Sequence, residues 1–252
     1  MTECAASLRK RDIDVTVVTP EECPFARLFG AEVGAALLAS HEAQGTKFAL
    51  GDQVTTFQGQ DHLDGITTEK EARIPADLAI IGVGIDPVTD FITGVERTDD
   101  GGILVDQYLQ AAENLFAAGD IAAFTLPLTG QPDRIEHWRL ACEHGILAAR
   151  NMLGQRIAYT GTPFFWSAQK LALYYVGHTD STADALINGE PGQGQFIAYY
   201  SQEGKVVAAL GVERNTEMAA LQELARMKKL PLSKELVPEF NAVTYLQRIP
   251  DI

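Results

Sequence analysis

A chain of 252 residues that is 46% hydrophobic can bury a sizeable core, enough for one large domain or two modest ones, and is globular rather than disordered. Twenty basic against thirty-four acidic residues leave a net charge of -14, which repels nucleic-acid phosphates and anionic membrane surfaces. The three cysteines, Cys4, Cys23 and Cys142, form no C-x-x-C pair, no apolar run approaches the roughly 18 to 20 residues of a membrane span, and the start lacks the order of a signal peptide; the sequence reads as a cytoplasmic protein with reduced thiols.

In chain order, Glu3 to Arg11 predicts a helix, with small and apolar residues followed by the basic end that a helix C-terminus favours. The β-branched run Asp14 to Val18 predicts a buried strand, and Gly30 to Gln44 a helix closed by Gly45. Strands around Gln53 to Phe57 and Gly65 to Thr68 lead into the apolar run Leu78-Ala79-Ile80-Ile81-Gly82-Val83-Gly84, which looks like the second half of an α/β dinucleotide-binding unit. Ile103 to Val105 and Leu115 to Ala118 predict further strands of one sheet, followed by a long helix from Arg134 to Leu153. Beyond Tyr159 the pattern becomes antiparallel: strands at Leu171 to Val176, Phe196 to Tyr200 and Val206 to Val212, a loop from Gly189 to Gly194, and an amphipathic helix from Glu217 to Lys229 ended by Pro231.

Two stretches carry the chemistry. Leu115 to Asp120 is an apolar strand that breaks at Gly119-Asp120, and a strand ending there presents a carboxylate at the sheet edge where open α/β folds bind ligands. Asp120 is then placed to accept hydrogen bonds from ribose-like or ribityl hydroxyls, and Gly119 leaves room for close backbone approach. A tight strand-exit turn explains the hexapeptide equally well. The second stretch is Glu136-His137-Trp138, at a helix start whose backbone N–H groups carry about half a positive charge and favour anions, such as a reduced ring. Trp138 and Trp166, the only tryptophans, are placed to shield such a ring, although aromatic clusters such as Phe164-Phe165-Trp166 more often fill cores. His137 is more often a satisfied hydrogen-bonding residue than a proton-transfer catalyst. No serine nucleophile elbow or metal-ligand cluster is present in the sequence, so a hydrolase has little support.

These segments in this order resemble the FAD-dependent pyridine nucleotide-disulfide oxidoreductase superfamily, in its branch of apoptosis-inducing-factor-like proteins and oxygenase-type ferredoxin reductases. The residues that carry the likeness are Glu3 to Ala6, Pro24 to Arg27 with Gly30, Ala76 through Gly84 and Pro87, Gly102 to Asp106, Phe116 to Asp120, Arg134 to Trp138, and Pro163 to Ser167. The resemblance implies an α/β chain of partial doubly wound dinucleotide-binding domains followed by a C-terminal α+β reductase module. Residues 1–83 would be a partial NAD(P)-binding domain, 84–160 the returning part of an FAD-binding domain, and 161–252 the terminal module. It further implies FAD contacts at Gly119, Asp120, Glu136, His137, Trp138 and Trp166, and places Glu3 and Gly84 near the nicotinamide nucleotide.

By that likeness the protein is an NAD(P)H-dependent FAD reductase that passes electrons to a ferredoxin or Rieske-type iron-sulfur protein. No covalent catalyst or metal is implied, and a homo-oligomer stays open. Three departures from the family stand out. The glycine loop of the NAD domain would precede Glu3, the first FAD strand with its own loop is absent, and Thr19 stands where NAD-binding relatives carry an acid, which leaves NAD versus NADP undecided. The competing readings are a non-catalytic remnant or interaction subunit that needs a partner chain, and a shortened gene product.

Overall fold

The computed structural model describes residues 2–179 and 184–250; Met1 and Ile252, the outer bounds of the expected end domains, lie outside them. The first helix, α1 (Thr2–Arg9), is followed by β1 (Thr16–Thr19), α2 (Ala26–Phe29), α3 (Ala31–Glu42) and β2 (Lys47–Leu50). β1 and β2 pair in parallel with Thr16 opposite Lys47, so the chain between them, including α3, is the crossover that parallel strands require. β3 (Val54–Gln58), β4 (Gly65–Thr68) and β5 (Arg73–Pro75) form a separate antiparallel sheet.

The apolar run from Leu78 to Gly84 departs from expectation. It belongs to no strand or helix, and its side chains face solvent, Val83 at 91% exposure. A strand exists only where a neighbour completes its hydrogen-bond ladder, and among the described residues none lies beside this run.

The middle of the chain contributes β6 (Ile103–Leu104), β7 (Gln110–Ala112), β8 (Leu115–Phe116), β9 (Ala122–Thr125), β10 (Pro132–Arg134) and α4 (Trp138–Met152). The sheet order is β10-β9-β6, whereas β7 and β8 stand apart as a two-stranded pair. Contrary to expectation, Leu115 to Ala118 therefore does not share a sheet with Ile103, and Asp120 sits in a 3-10 turn, Gly119–Ile121, between β8 and β9. The predicted helix from Arg134 also starts later. Arg134 ends β10, and Glu136 and His137 precede the first turn. Ile103, Leu109, Phe124, Leu140 and Ala148 make the local core.

The terminal part is a five-stranded antiparallel sheet of β11 (Phe164–Ala168), β12 (Ala172–Gly177), β13 (Asp184–Glu190), β14 (Gln195–Gln202) and β15 (Lys205–Val212), in the order β11-β12-β15-β14-β13. The β14–β15 hairpin turns on Glu203 and Gly204, with φ of 50° and 77°, the two positive values that match the right-handed twist of paired strands. α5 (Asn215–Arg226) and α6 (Ala242–Gln247) follow. Gly189 and Glu190, read as loop from the sequence, end β13, and Pro191–Gln193 is a 3-10 turn.

Strand alternation sends Val176, Ile197 and Tyr199 to one face, against Met218, Leu221 and Leu224 of α5. Tyr175, Phe196, Tyr200 and Leu210 point to the other face. That second face is covered from far away in sequence, by Phe29, Val33 and Leu37 of α2 and α3. The Tyr200 hydroxyl donates to the Phe29 carbonyl at 3.0 Å and fixes the approach. Burying each of these three side chains contributes about 1.5 to 3 kcal/mol, so the first forty residues are held on the terminal sheet by apolar packing.

Candidate cofactor site

The turn at Gly119 lies directly on α4. Its φ is +76°, and a Cβ there would stand 3.2 Å from the Ala141 Cβ, so glycine is needed both for the backbone conformation and for the close approach. The next residue, Asp120, is held through its backbone: its carbonyl accepts from Arg134 Nη1 at 2.9 Å. Its side chain is left over. Asp120 Oδ1 is buried and has no hydrogen-bond partner among the described residues, a state that costs about 1 to 3 kcal/mol or more until a donor arrives.

Arg134 organises this corner. Besides Asp120, its guanidinium donates to Asp100 Oδ2 at 2.6 Å and to Glu136 Oε1 at 2.8 Å, joining three segments through one nearly buried side chain. The Asp100 carboxyl is held at about 2, first by the Thr98 hydroxyl and then by Arg134. Glu136 is thereby fixed just before α4, with its charge compensated.

His137 caps α4, its Nδ1 accepting from the Arg139 N–H at 3.3 Å. Burial, then the charge of Arg139, pushes its imidazole below the ordinary value, which favours the neutral ring that a cap acceptor requires. Asp120, Glu143 and Glu3 act on the same ring in the opposite sense, which puts the acids from three segments within electrostatic reach of one point. The His137 ring lies 5.7 Å from Phe165 and 5.9 Å from Trp138. Trp138 meets Trp166 edge to face at 5.6 Å, and both remain open to solvent, at 63% and 44% exposure.

Glu3 joins from α1, accepting from the Ser167 hydroxyl at 2.7 Å. Ser167 in turn accepts from Gln169 Nε2 at 3.0 Å, while Gln169 Oε1 meets His41 Nε2 of α3 in a buried contact. Gly119, Asp120, Glu136, His137, Trp138, Trp166 and Glu3 are thus drawn into one neighbourhood by α1, β11 and the entry to α4. Gly84 is not: it lies in the exposed segment, and a Cβ on it would meet nothing within 4 Å.

The sequence reading missed Arg134 as the organiser and Gln169–His41 as the support behind Ser167. The alternation of Asp133 and Arg134 on a short strand was the available signal, since Asp133 points the other way, to His178 Nε2 at 2.7 Å. It also missed His144. Both ring nitrogens of His144 lack partners among the described residues, the ring packs edge-on against Phe124 at 4.6 Å and Tyr159 at 5.0 Å, and burial lowers its pKa to about 4.

A buried, unpartnered carboxylate oxygen fits a ligand rich in hydroxyl donors, and two exposed indoles fit one with a flat ring. The 252 residues contain no G-x-G-x-x-G loop to cradle its phosphates.

The fold is of α/β type, and this corner is its candidate site for a flat-ringed ligand rich in hydroxyls. The family described as pyridine nucleotide-disulphide oxidoreductase matches residues 2–145, and the reductase C-terminal family matches residues 164–241. The chain belongs to the pyridine nucleotide-disulphide oxidoreductase family. It is 31% identical to human apoptosis-inducing factor 3 over 230 residues, covering 88% of this chain and 38% of the relative. It is 28% identical over 253 residues to the ferredoxin--NAD(+) reductase component of the anthranilate 1,2-dioxygenase system of Burkholderia cepacia, covering 97% and 61%. The solved ferredoxin reductase for the CYP199A2 system of Rhodopseudomonas palustris superposes with a TM-score of 0.85 at 25% identity, covering 97% of this chain and 62% of that one. A covalent putidaredoxin reductase–putidaredoxin complex superposes with a TM-score of 0.86 at 25% identity, covering 98% and 62%. The chain therefore spans less than two thirds of the length of each of these relatives. Among the described residues no helix is long and apolar enough to cross a membrane.

Proposed function

We propose that this chain supplies one wall of the cofactor site of an NAD(P)H-dependent FAD reductase of the cytoplasm. In this reading residues 84–160 hold the flavin side, residues 1–83 the nicotinamide side, and residues 161–252 the terminal module. The observation that carries the proposal is the unpartnered Asp120 Oδ1 beside the entry to α4. When bound, FAD would accept hydride from the nicotinamide and release electrons singly to an iron-sulfur acceptor. The protein's part is binding and orientation. Asp120 accepts from a sugar-chain hydroxyl, Gly119 keeps the backbone close, and the start of α4 with neutral His137 favours negative charge on the ring. Trp138 and Trp166 exclude water from the ring, and Glu136 stays oriented by Arg134. Glu3 and Gly84 face the nicotinamide nucleotide.

A ferredoxin or Rieske-type protein is the acceptor we favour, since the Burkholderia relative is a ferredoxin reductase component and a putidaredoxin reductase is solved with its putidaredoxin. The test is flavin absorbance and NAD(P)H oxidation by the purified chain with added FAD. Flavin-dependent oxidation that Asp120→Asn lowers at least tenfold is the expected result, and full activity in that variant overturns the assignment. A second reading, an interaction subunit completed by a partner chain, is favoured by the solvent-facing apolar run at Leu78 to Gly84.

A further inference from the structure

Strand alternation puts Phe165 and Ser167 on one face of β11, so the strand that sets Phe165 against His137 also presents the Ser167 hydroxyl to Glu3 of α1. Behind Ser167 the contacts run inward, to Gln169 and then to His41 of α3, which are 8% and 2% exposed. The direction of this chain of bonds follows from its outer end. A carboxylate can only accept, so the single proton of the Ser167 hydroxyl goes to Glu3 Oε1, at 2.7 Å. Ser167 Oγ must then accept from behind, and the Gln169 amide nitrogen donates to it at 3.0 Å. That turns Gln169 Oε1 toward His41, and Nε2 is the ring nitrogen that carries the proton of this contact. His41 Nδ1 is buried and has no hydrogen-bond partner among the described residues, so no second bond competes for the ring.

We infer that Gln169 and His41 are positioning residues, which act through Ser167 to hold the Glu3 carboxylate in the one orientation that faces the nicotinamide nucleotide. The inference rests on the reading of Glu3 as a residue of the nicotinamide side. Helix α1 has only eight residues and buries Ala5 and Ala6, small side chains that give it a shallow grip on its surroundings. Polar ties supply the rest, from Lys10 Nζ to the Gln169 carbonyl at 3.2 Å and from Arg9 Nε to the Gln44 carbonyl at 3.1 Å. Gln169 thus grips the end of α1 through its backbone and the carboxylate at the other end through its side chain. A glutamate on such a helix otherwise samples many rotamers, and a hydroxyl of fixed direction selects one of them before any ligand arrives. The selected position matters to the candidate site, because the Glu3 charge reaches the His137 ring together with those of Asp120 and Glu143. Apolar side chains in place of the buried amide and imidazole would fill the same space and leave Ser167 without a direction.

The test uses the full chain. The His41 tautomer is read by nitrogen NMR of the imidazole at about pH 8, and affinity for NADH and NADPH by nucleotide fluorescence. The Nε2–H tautomer is expected in the wild type. Ser167→Ala frees the Gln169 amide to turn round and is expected to give a mixture of both tautomers, while Ser167→Thr keeps the hydroxyl and the single tautomer. A side chain that merely filled space would not register a change two contacts away. Glu3→Gln is expected to weaken nucleotide binding about tenfold, Ser167→Ala by most of that factor and Ser167→Thr by little. The Nδ1–H tautomer in the wild type, or a tautomer that Ser167→Ala leaves unchanged, overturns the inference. So does Ser167→Ala binding nucleotide as tightly as the wild type while Glu3→Gln binds weakly, since Glu3 then finds its place unaided. Absence of nucleotide binding by the wild type, or equal affinity in Glu3→Gln, rejects the nicotinamide reading instead, and the tautomer then decides whether these bonds hold Glu3.

Discussion

The terminal sheet and the region around α4 are built from similar amounts of apolar sequence and finish in opposite conditions. The five strands of the terminal sheet are covered on both faces, by α5 on one side and by α2 and α3 on the other. Around α4 the sheets have two or three strands, Leu78 to Gly84 pairs with nothing described, and the helix itself leaves Ile146, Met152 and Leu153 exposed. Stability is therefore concentrated in the terminal module, while the candidate cofactor site lies at its border with the less covered region. Sites that accept large ligands are drawn from such less-buried parts, because a closed core leaves no room for them.

The comparison is broken most easily in the core. Leu221→Ala, at a fully buried position of α5, is expected to cost about 2 to 5 kcal/mol in urea unfolding followed by circular dichroism; a cost below 1 would mean that the terminal sheet is not where stability resides. His144 gives the next largest effect. Its folded pKa of about 4 lies below the ordinary 6.5, so as pH falls through that window the unfolded chain takes up a proton that the folded chain refuses. Stability is fully present above pH 6.5 and declines by about 3 kcal/mol towards pH 4. Replacing His144 with Leu should flatten that part of the urea-midpoint profile, and an unchanged slope would show that His144 is not buried as a neutral ring.

Gly119→Ala sharpens the border between the two regions. It introduces a side chain at φ +76° and 3.2 Å from Ala141, and is expected to cost about 1 to 3 kcal/mol and to weaken FAD binding together with stability. Neutrality in both measurements would remove the argument for close packing of this turn on α4. Smallest of all is Val83→Ser. A residue 91% exposed and outside any ladder should change stability by no more than about 0.5 kcal/mol, and a larger loss would show that the run is covered in solution.

Local signals were legible in the sequence. The Glu203-Gly204 turn, the amphipathic α5, and the helices near Glu3 and Gly30 followed from periodicity and turn chemistry alone. What the sequence hid depends on distant partners. Leu78 to Gly84 has the composition of a buried strand, but composition cannot supply a neighbour. The sequence DALINGE of β13 alternates too weakly to be read as a strand, and pairing with β14 makes it one. Likewise, nothing local places Phe29 under Tyr200. At the candidate site, Gly119, Asp120, His137, Trp138 and Trp166 were singled out from residue type and order, and the fold places them near one another. Arg134 was quoted within the motif, yet its role emerges only from the three acceptors that the fold brings to it.

The central claim is that Asp120 waits for a hydroxyl of the flavin. An FAD titration followed by flavin fluorescence, run in parallel on the wild-type chain and on Asp120→Asn with matched unfolding curves, tests it most directly. The account predicts saturable quenching by the wild type and affinity at least tenfold weaker in the variant, since losing a charge-assisted hydrogen bond costs about 1.5 to 3 kcal/mol. Equal affinity of the two proteins, or no quenching by the wild type, would contradict it.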